Sequence, residues 1–154
     1  MKKETRLPTR DEIKALVSFL PRLYAQGFNP VIKWEGGNKD ADGIIQMPYP
    51  EYDPLVDEFI RAASSECWLN YSYDPEEAYQ MLKSDEAIKS ADLAGIKTML
   101  TFIVRGERFS DGHWGEMIEA GYVRRLLERL IELGSYNEIR IYAAHLWELR
   151  DFAL

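Results

Sequence analysis

Asp92-Leu93-Ala94-Gly95-Ile96-Lys97-Thr98-Met99-Leu100-Thr101-Phe102-Ile103-Val104-Arg105-Gly106 is the stretch on which the fold class turns. Its apolar positions, Leu93, Ile96, Met99, Leu100, Ile103 and Val104, recur at alternating spacings of three and four. That spacing gathers them on one face of an α-helix, where a strand would need alternation by two. Asp92 is suited to cap the free amides at the start. Arg105 sets a cation near the carbonyl end, and Gly106 can adopt a left-handed stop. The segment reads as the central core helix of a mainly α protein.

The flanking segments carry the same signature. Asp53-Pro54 and Asp74-Pro75 each put an aspartate at a cap and a proline in the first turn. The first leads into Leu55, Val56, Phe59, Ile60 and Ala63, the second into Ala78, Met81 and Leu82. A further helical turn is expected from Asp85 to about Lys89. Near the start, Thr9-Arg10-Asp11-Glu12 fits a capping box before Ile13, Leu16, Val17 and Leu20. Pro21 kinks or interrupts that pattern before Leu23 and Tyr24, and Gly27 is placed to end it. Downstream, Trp114, Met117 and Ile118 predict a short helix stopped by Gly121. Val123, Leu126, Leu127, Leu130 and Ile131 predict another, stopped by Gly134. Ser135-Tyr136-Asn137-Glu138 is a second capping box, followed by Ile139, Tyr142, Ala143, Leu146, Trp147 and Leu149. There the alternation of Glu138-Ile139-Arg140-Ile141 leaves a strand as the competing reading, and the later spacing favours helix.

Residues 28–53 break the pattern with Asn29-Pro30, Gly36-Gly37-Asn38, Asp42-Gly43 and Pro48-Tyr49-Pro50, all turn chemistry. Val31-Ile32-Lys33-Trp34 and Gly43-Ile44-Ile45-Gln46-Met47 read either as two strands of a hairpin or as loop segments pinned by apolar side chains. The expected fold is mainly α: a single compact domain, residues 1–154, of six or seven helices, with this irregular, short-hairpin-compatible segment.

A chain of 154 residues with 46% hydrophobic and 12% aromatic residues has the size and composition of one compact, soluble domain. Its longest apolar runs, around Met99 to Val104, are too short to span a bilayer. Met1-Lys2-Lys3-Glu4-Thr5-Arg6 lacks the apolar stretch of a secretory signal. The one cysteine, Cys67, beside Trp68 and Leu69, reads as a buried free thiol. Together these give the expectation of a cytoplasmic protein with no membrane association. Charge is uneven: residues 1–33 hold seven Lys/Arg against three acids, and residues 34–95 four against fourteen. Residues 96–154 hold eight against nine. The acidic middle argues against sequence-independent nucleic-acid binding. Arg124, Arg125, Arg129 and Arg140 are interleaved with Glu128 and Glu132, as on an ordinary solvated helix face. Tyr49, Tyr52, Tyr71, Tyr73, Tyr79, Trp34 and Trp68 either line a groove or, more commonly, staple the irregular region to the core.

Chemistry is densest in Gly106-Glu107-Arg108-Phe109-Ser110-Asp111-Gly112-His113-Trp114. A structural reading gives almost every residue a task. Arg108 and Asp111 pair across the turn, and Ser110 or Asp111 caps the following helix. Gly112 takes a positive φ, and Phe109 and Trp114 anchor the turn in the core. Glu107 and His113 are left without a structural duty. A functional reading points Glu107, Arg108, Asp111 and His113 into a cleft for a small polar or anionic ligand. Arg108 would offer a fork, and the helix start its free amides. A metal variant would use Asp111, His113 and Glu116, with His145 or Glu119, but no HExxH, CxxC or paired-His signature is present. No Walker loop, GxSxG or dinucleotide fingerprint occurs, and no cofactor is implied.

Leu100 to Leu127 resembles an uncharacterised family of small bacterial and archaeal domains of unknown function. The family is marked by Gly-Glu-Arg-Phe, then Asp-Gly-(His)-Trp and an Ile-Glu-x-Gly helix end. Here those positions are Gly106-Glu107-Arg108-Phe109, Asp111-Gly112-His113-Trp114 and Ile118-Glu119-Ala120-Gly121. The resemblance implies no assigned activity, cofactor or catalytic residue. The expectation is a non-catalytic helical module that binds a partner protein or small polar ligand near this turn. The alternative is a small hydrolase-like or metal-dependent enzyme using Glu107, Asp111 and His113. An apolar helix face would serve a homodimer as readily as a core.

Overall fold

The computed structural model describes residues 5–134. Side-chain caps decide where most of its helices begin. α1 (Arg10–Val17) starts from the expected capping box: the Thr9 hydroxyl accepts from the Glu12 amide at 3.2 Å, and the Glu12 carboxylate accepts from the Thr9 amide at 3.0 Å. The same carboxylate takes a 2.6 Å hydrogen bond from Arg6 and a 3.1 Å one from the Cys67 thiol. Burial, then this carboxylate, push the thiol up to about 11. Pro21 has no amide to give the Val17 carbonyl, and the helix breaks at Ser18 before resuming as α2 (Phe19–Leu23). α3 (Pro54–Ala63), α4 (Pro75–Leu82), α5 (Asp85–Ser90) and α6 (Leu93–Gly106) are capped by the side chains of Asp53, Asp74, Ser84 and Asp92. Two helices follow, the short α7 (His113–Glu119) and the longer α8 (Tyr122–Leu133), each preceded by a glycine that has no side chain to cap it. With α1 and α2 taken as one broken helix, the described residues hold seven, within the expected range.

α6 is the axis of the core, as its periodicity predicts. Ile96, Met99, Leu100 and Ile103 are fully buried, each contributing roughly 1.5–3 kcal/mol on the usual scale for aliphatic burial. Around it pack α3, α4, α7 and α8, while α1 and α2 close the far side through α3 and α8. All of these feed one continuous cluster that includes Leu16, Phe59, Trp68, Leu82, Leu126 and Leu130. Lys97 on α6 is almost wholly buried; its ammonium donates to the Thr5 hydroxyl at 2.5 Å and the Arg6 carbonyl at 3.2 Å, strapping the N-terminal segment across the core. Among the described residues no helix is long and apolar enough to cross a membrane.

The irregular segment does contain a hairpin, with a different second strand. β1 (Val31–Glu35) pairs antiparallel with β2 (Tyr49–Tyr52), Trp34 opposite Pro50 and Glu35 opposite Tyr49, with an irregularity between Val31 and Lys33. Gly43 to Met47 instead forms the hairpin's tip. There the Asp40 carboxylate accepts from the Asp42 and Ile44 amides, each at 2.9 Å, and only a lone bridge joins Lys39 and Ile45. Side-chain capture of the backbone by aspartate competes with strand pairing. Pro50 disguises β2, yet both strands of a two-stranded sheet are edges, where proline is tolerated. The Ser135 capping box, the helix-or-strand segment beyond it, Arg140 and His145 lie outside the described residues.

Candidate functional site

The turn between α6 and α7 is built inward from Glu107. Its carboxylate accepts from the Gly112 amide at 2.8 Å and the Trp114 amide at 2.9 Å, and the Tyr52 hydroxyl lies 2.9 Å from both of its oxygens. The first amides of α7 are thus capped from five and seven residues upstream, by a negative charge at the positive end of the helix. Tyr52 in turn accepts from the Gly115 amide at 3.4 Å. Burial, and then the adjoining carboxylate, push the Tyr52 phenol well above its ordinary value. Its ring packs on Trp114 with centroids 5.4 Å apart, and the Trp114 indole donates to the Val104 carbonyl at 3.0 Å. Glu107 therefore ties the hairpin, the end of α6 and the start of α7 together. It has the structural duty the sequence had not assigned it. The cap expected from Ser110 or Asp111 is absent, because Glu107 already occupies those amides.

His113 packs back against α6. It is 7% exposed, edge-on to Phe102 with centroids 5.1 Å apart, and its Nε2 is buried without a hydrogen-bond partner. Burial lowers its pKa; the Phe102 backbone and the charges of Glu107 and Glu116 act against that. Gly106 explains how the ring fits. It is the last residue of α6, with no positive φ, so the expected left-handed stop is not its role. A Cβ there would land on the imidazole, against Nε2, Cδ2 and Cε1. Gly112 does have the expected left-handed conformation, φ 90°, and a Cβ on it would stand 2.7 Å from the Trp34 ring. Both glycines are demanded by what presses against them.

The rest of the turn points outward. Arg108, Ser110 and Asp111 are exposed, and Arg108 and Asp111 form no ion pair with each other. Phe109, expected in the core, is 85% exposed. The cap is supplied from upstream and Trp114 already anchors the turn, so the backbone of residues 108–110 is bonded into the turn while their side chains and that of Asp111 stay outside. Of the four candidate ligand residues, Glu107 and His113 are drawn into the protein and Arg108 and Asp111 are left on its surface. No hydrogen bond or ion pair joins these four side chains to one another. Among the described residues no three His, Cys, Asp or Glu side chains stand together to hold a metal ion.

What the turn does meet is the hairpin. Trp34 covers Gly112, and a Cβ on Gly115 would stand 2.9 Å from the Val31 side chain, so β1 lies directly along α7. Between them runs an open groove of about 710 Å³, with Lys33 and Trp34 on one wall and Asp111, Glu116 and Glu119 on the other. Lys33 is neutralised locally by Glu35 at 2.8 Å and Glu51 at 3.5 Å. The apolar side chains of the arm are largely in water: Trp34 is 54% exposed, Ile44 64% and Met47 76%, with Ile32, Ile45 and Tyr49 also exposed. In the sequence Tyr52 stands out only as a member of an aromatic group, and Trp34 as that and as the end of a candidate strand. The available signal is that apolar Ile44, Ile45 and Met47 sit among turn formers, between Asp42-Gly43 and Pro48.

The arginines of α8 form no open basic face. Arg124 pairs with Glu128 at 2.9 Å, Arg125 with Asp85 at 2.5 Å, and Arg129 with Glu132 at 3.2 Å.

Searches of curated proteins and of solved structures return no match. The likeness to a family without assigned activity extends well beyond Leu100 to Leu127. The profile of a family of unknown function (DUF6508) matches residues 8–135, from the first capping box through the end of α8, and the chain belongs to that family.

Proposed function

We propose that this protein is a non-catalytic module that docks a partner protein on the joined surface of the hairpin arm and the 106–114 turn. The observation that supports this is the exposure of large apolar side chains there, Phe109 above all at 85%. Each such side chain left in water forgoes roughly 1.5–3 kcal/mol of burial, and exposed large apolar side chains beyond the scattered few of an ordinary surface characteristically mark an interaction site. Arg108 and Asp111 lie on that surface as polar contacts, while Glu107 and His113 support it from within. A nitrogen buried against Gly106, as in His113, offers no face to a substrate in this conformation. The paired arginines of α8 give no support to a nucleic-acid partner. The single buried thiol fits a reducing, cytoplasmic setting.

The test is photo-crosslinking in the cells that make the protein, with a benzophenone amino acid placed at Phe109, at Met47, or at the exposed Glu58 on α3. The expected result is a discrete adduct with another protein from the first two positions and none from Glu58. Adducts of equal yield from all three, or none, would rule the docking surface out.

A further inference from the structure

Resting on that reading, we infer that the docked partner is a basic, apolar-containing protein segment, seated in the groove between β1 and α7. The argument is charge complementarity. Asp111, Glu116 and Glu119 line one wall, and none of them has a lysine or arginine within ion-pairing distance among the described residues. Lys33, the cation of the opposite wall, is already answered by Glu35 and Glu51. The groove therefore carries an uncompensated negative charge, set in a chain of net charge −7.

Apolar surface accompanies the charge. The half-exposed Trp34 ring stands on the groove wall, where an arginine or lysine head would gain a cation–π contact as well as the carboxylates. The arm beyond it offers Ile44, Ile45 and Met47 to aliphatic or aromatic side chains of the same segment. β1 is also an edge strand, paired only with β2 among the described residues, so an extended segment has backbone groups to meet. An anionic membrane surface or a nucleic acid meets the same carboxylates with repulsion.

The experiment is selection of a random peptide library displayed on phage against the whole protein. It is followed by binding measurements on the enriched peptides and amide chemical-shift mapping of their footprint. Three proteins are compared: the wild type, the groove variant Asp111→Lys/Glu116→Lys/Glu119→Lys, and a charge-matched control, Glu58→Lys/Glu66→Lys/Glu86→Lys. Each variant is checked for unchanged melting. The expected peptides combine Lys/Arg with aliphatic or aromatic residues and shift the amides of Ile32–Trp34 and Asp111–Glu119. They should lose about tenfold in affinity on the groove variant, keep it on the control, and weaken with salt. Enriched peptides that are neutral or acidic, with the same footprint, overturn the basic-partner inference and leave the docking surface standing. Peptides that footprint elsewhere, or no peptides at all, overturn both. So does a concentration-dependent dimer in sedimentation that Trp34→Ser dissolves, which assigns the face to a second copy.

Discussion

Replacing Gly106 with alanine sets two well-measured effects against each other. Gly106 closes α6 with ordinary helical geometry, and in a helix alanine is favoured over glycine by up to about 1 kcal/mol. Propensity alone thus predicts a more stable protein. Packing predicts the reverse, because the new Cβ falls on the buried His113 ring, which the Phe102 ring flanks edge-on. Forcing a methyl into a filled site typically costs 1–3 kcal/mol and sometimes more. The net expectation is a loss of about 1–2 kcal/mol, or a fall in Tm of roughly 3–6 °C for a domain of this size. The assay is urea or thermal unfolding of a four-member cycle: wild type, Gly106→Ala, His113→Ala and the double variant. With the imidazole gone the methyl has room, so Gly106→Ala should be neutral or stabilising in the His113→Ala background. The two backgrounds should then differ by about 2 kcal/mol. If alanine stabilises the wild type, or costs the same with and without the imidazole, the account of Gly106 is wrong.

Glu107→Gln keeps the shape but removes the charge that holds two amides and a phenol; chemical denaturation should show a loss of about 1–2 kcal/mol. An unchanged midpoint would mean the carboxylate is not the cap. Asp111→Ala, by contrast, should alter stability by no more than about 0.5 kcal/mol, since Asp111 is exposed and caps nothing; a larger loss would restore the pairing expected from sequence. The lowered pKa of His113 fixes the sign of a pH effect. The unfolded state takes up a proton near pH 6.5, whereas the folded state resists until lower pH. Stability is therefore complete above about 6.5 and falls as pH drops toward the folded-state value. His113→Phe should flatten that part of the curve of Tm against pH, and an NMR titration of the ring midpointing at or above 6.5 would contradict the assignment.

The helical framework was legible because its signals are local. Asp53, Asp74, Asp92 and the Thr9–Glu12 box each act within a few residues of where they stand in the sequence, and all mark real helix starts. α6 was legible because a buried helix needs a periodic face. The turn was misread for the complementary reason. Its key bond joins Tyr52 to Glu107 across 55 positions, and nothing at either end announces the other. Local spacing alone points to the nearest oxygens, Ser110 and Asp111, for the cap that Glu107 supplies. Phe109 was sent to the core on hydrophobicity alone, although Trp114 had taken the anchoring position. β2 was hidden by Pro50, and Gly106 was read for its conformational freedom when its small size is what matters.

The arm and the helical body also divide the burden of selection. Met47, Ile44 and Phe109 contribute almost nothing to the core, so their identities are free to drift without endangering folding. Tyr52, Glu107 and Gly112, which hold the arm in place, are not. The frame that presents the tip and the side chains it presents are therefore separable: substitutions at Met47, Ile44 or Phe109 would remodel the exposed surface and leave the body that carries it intact.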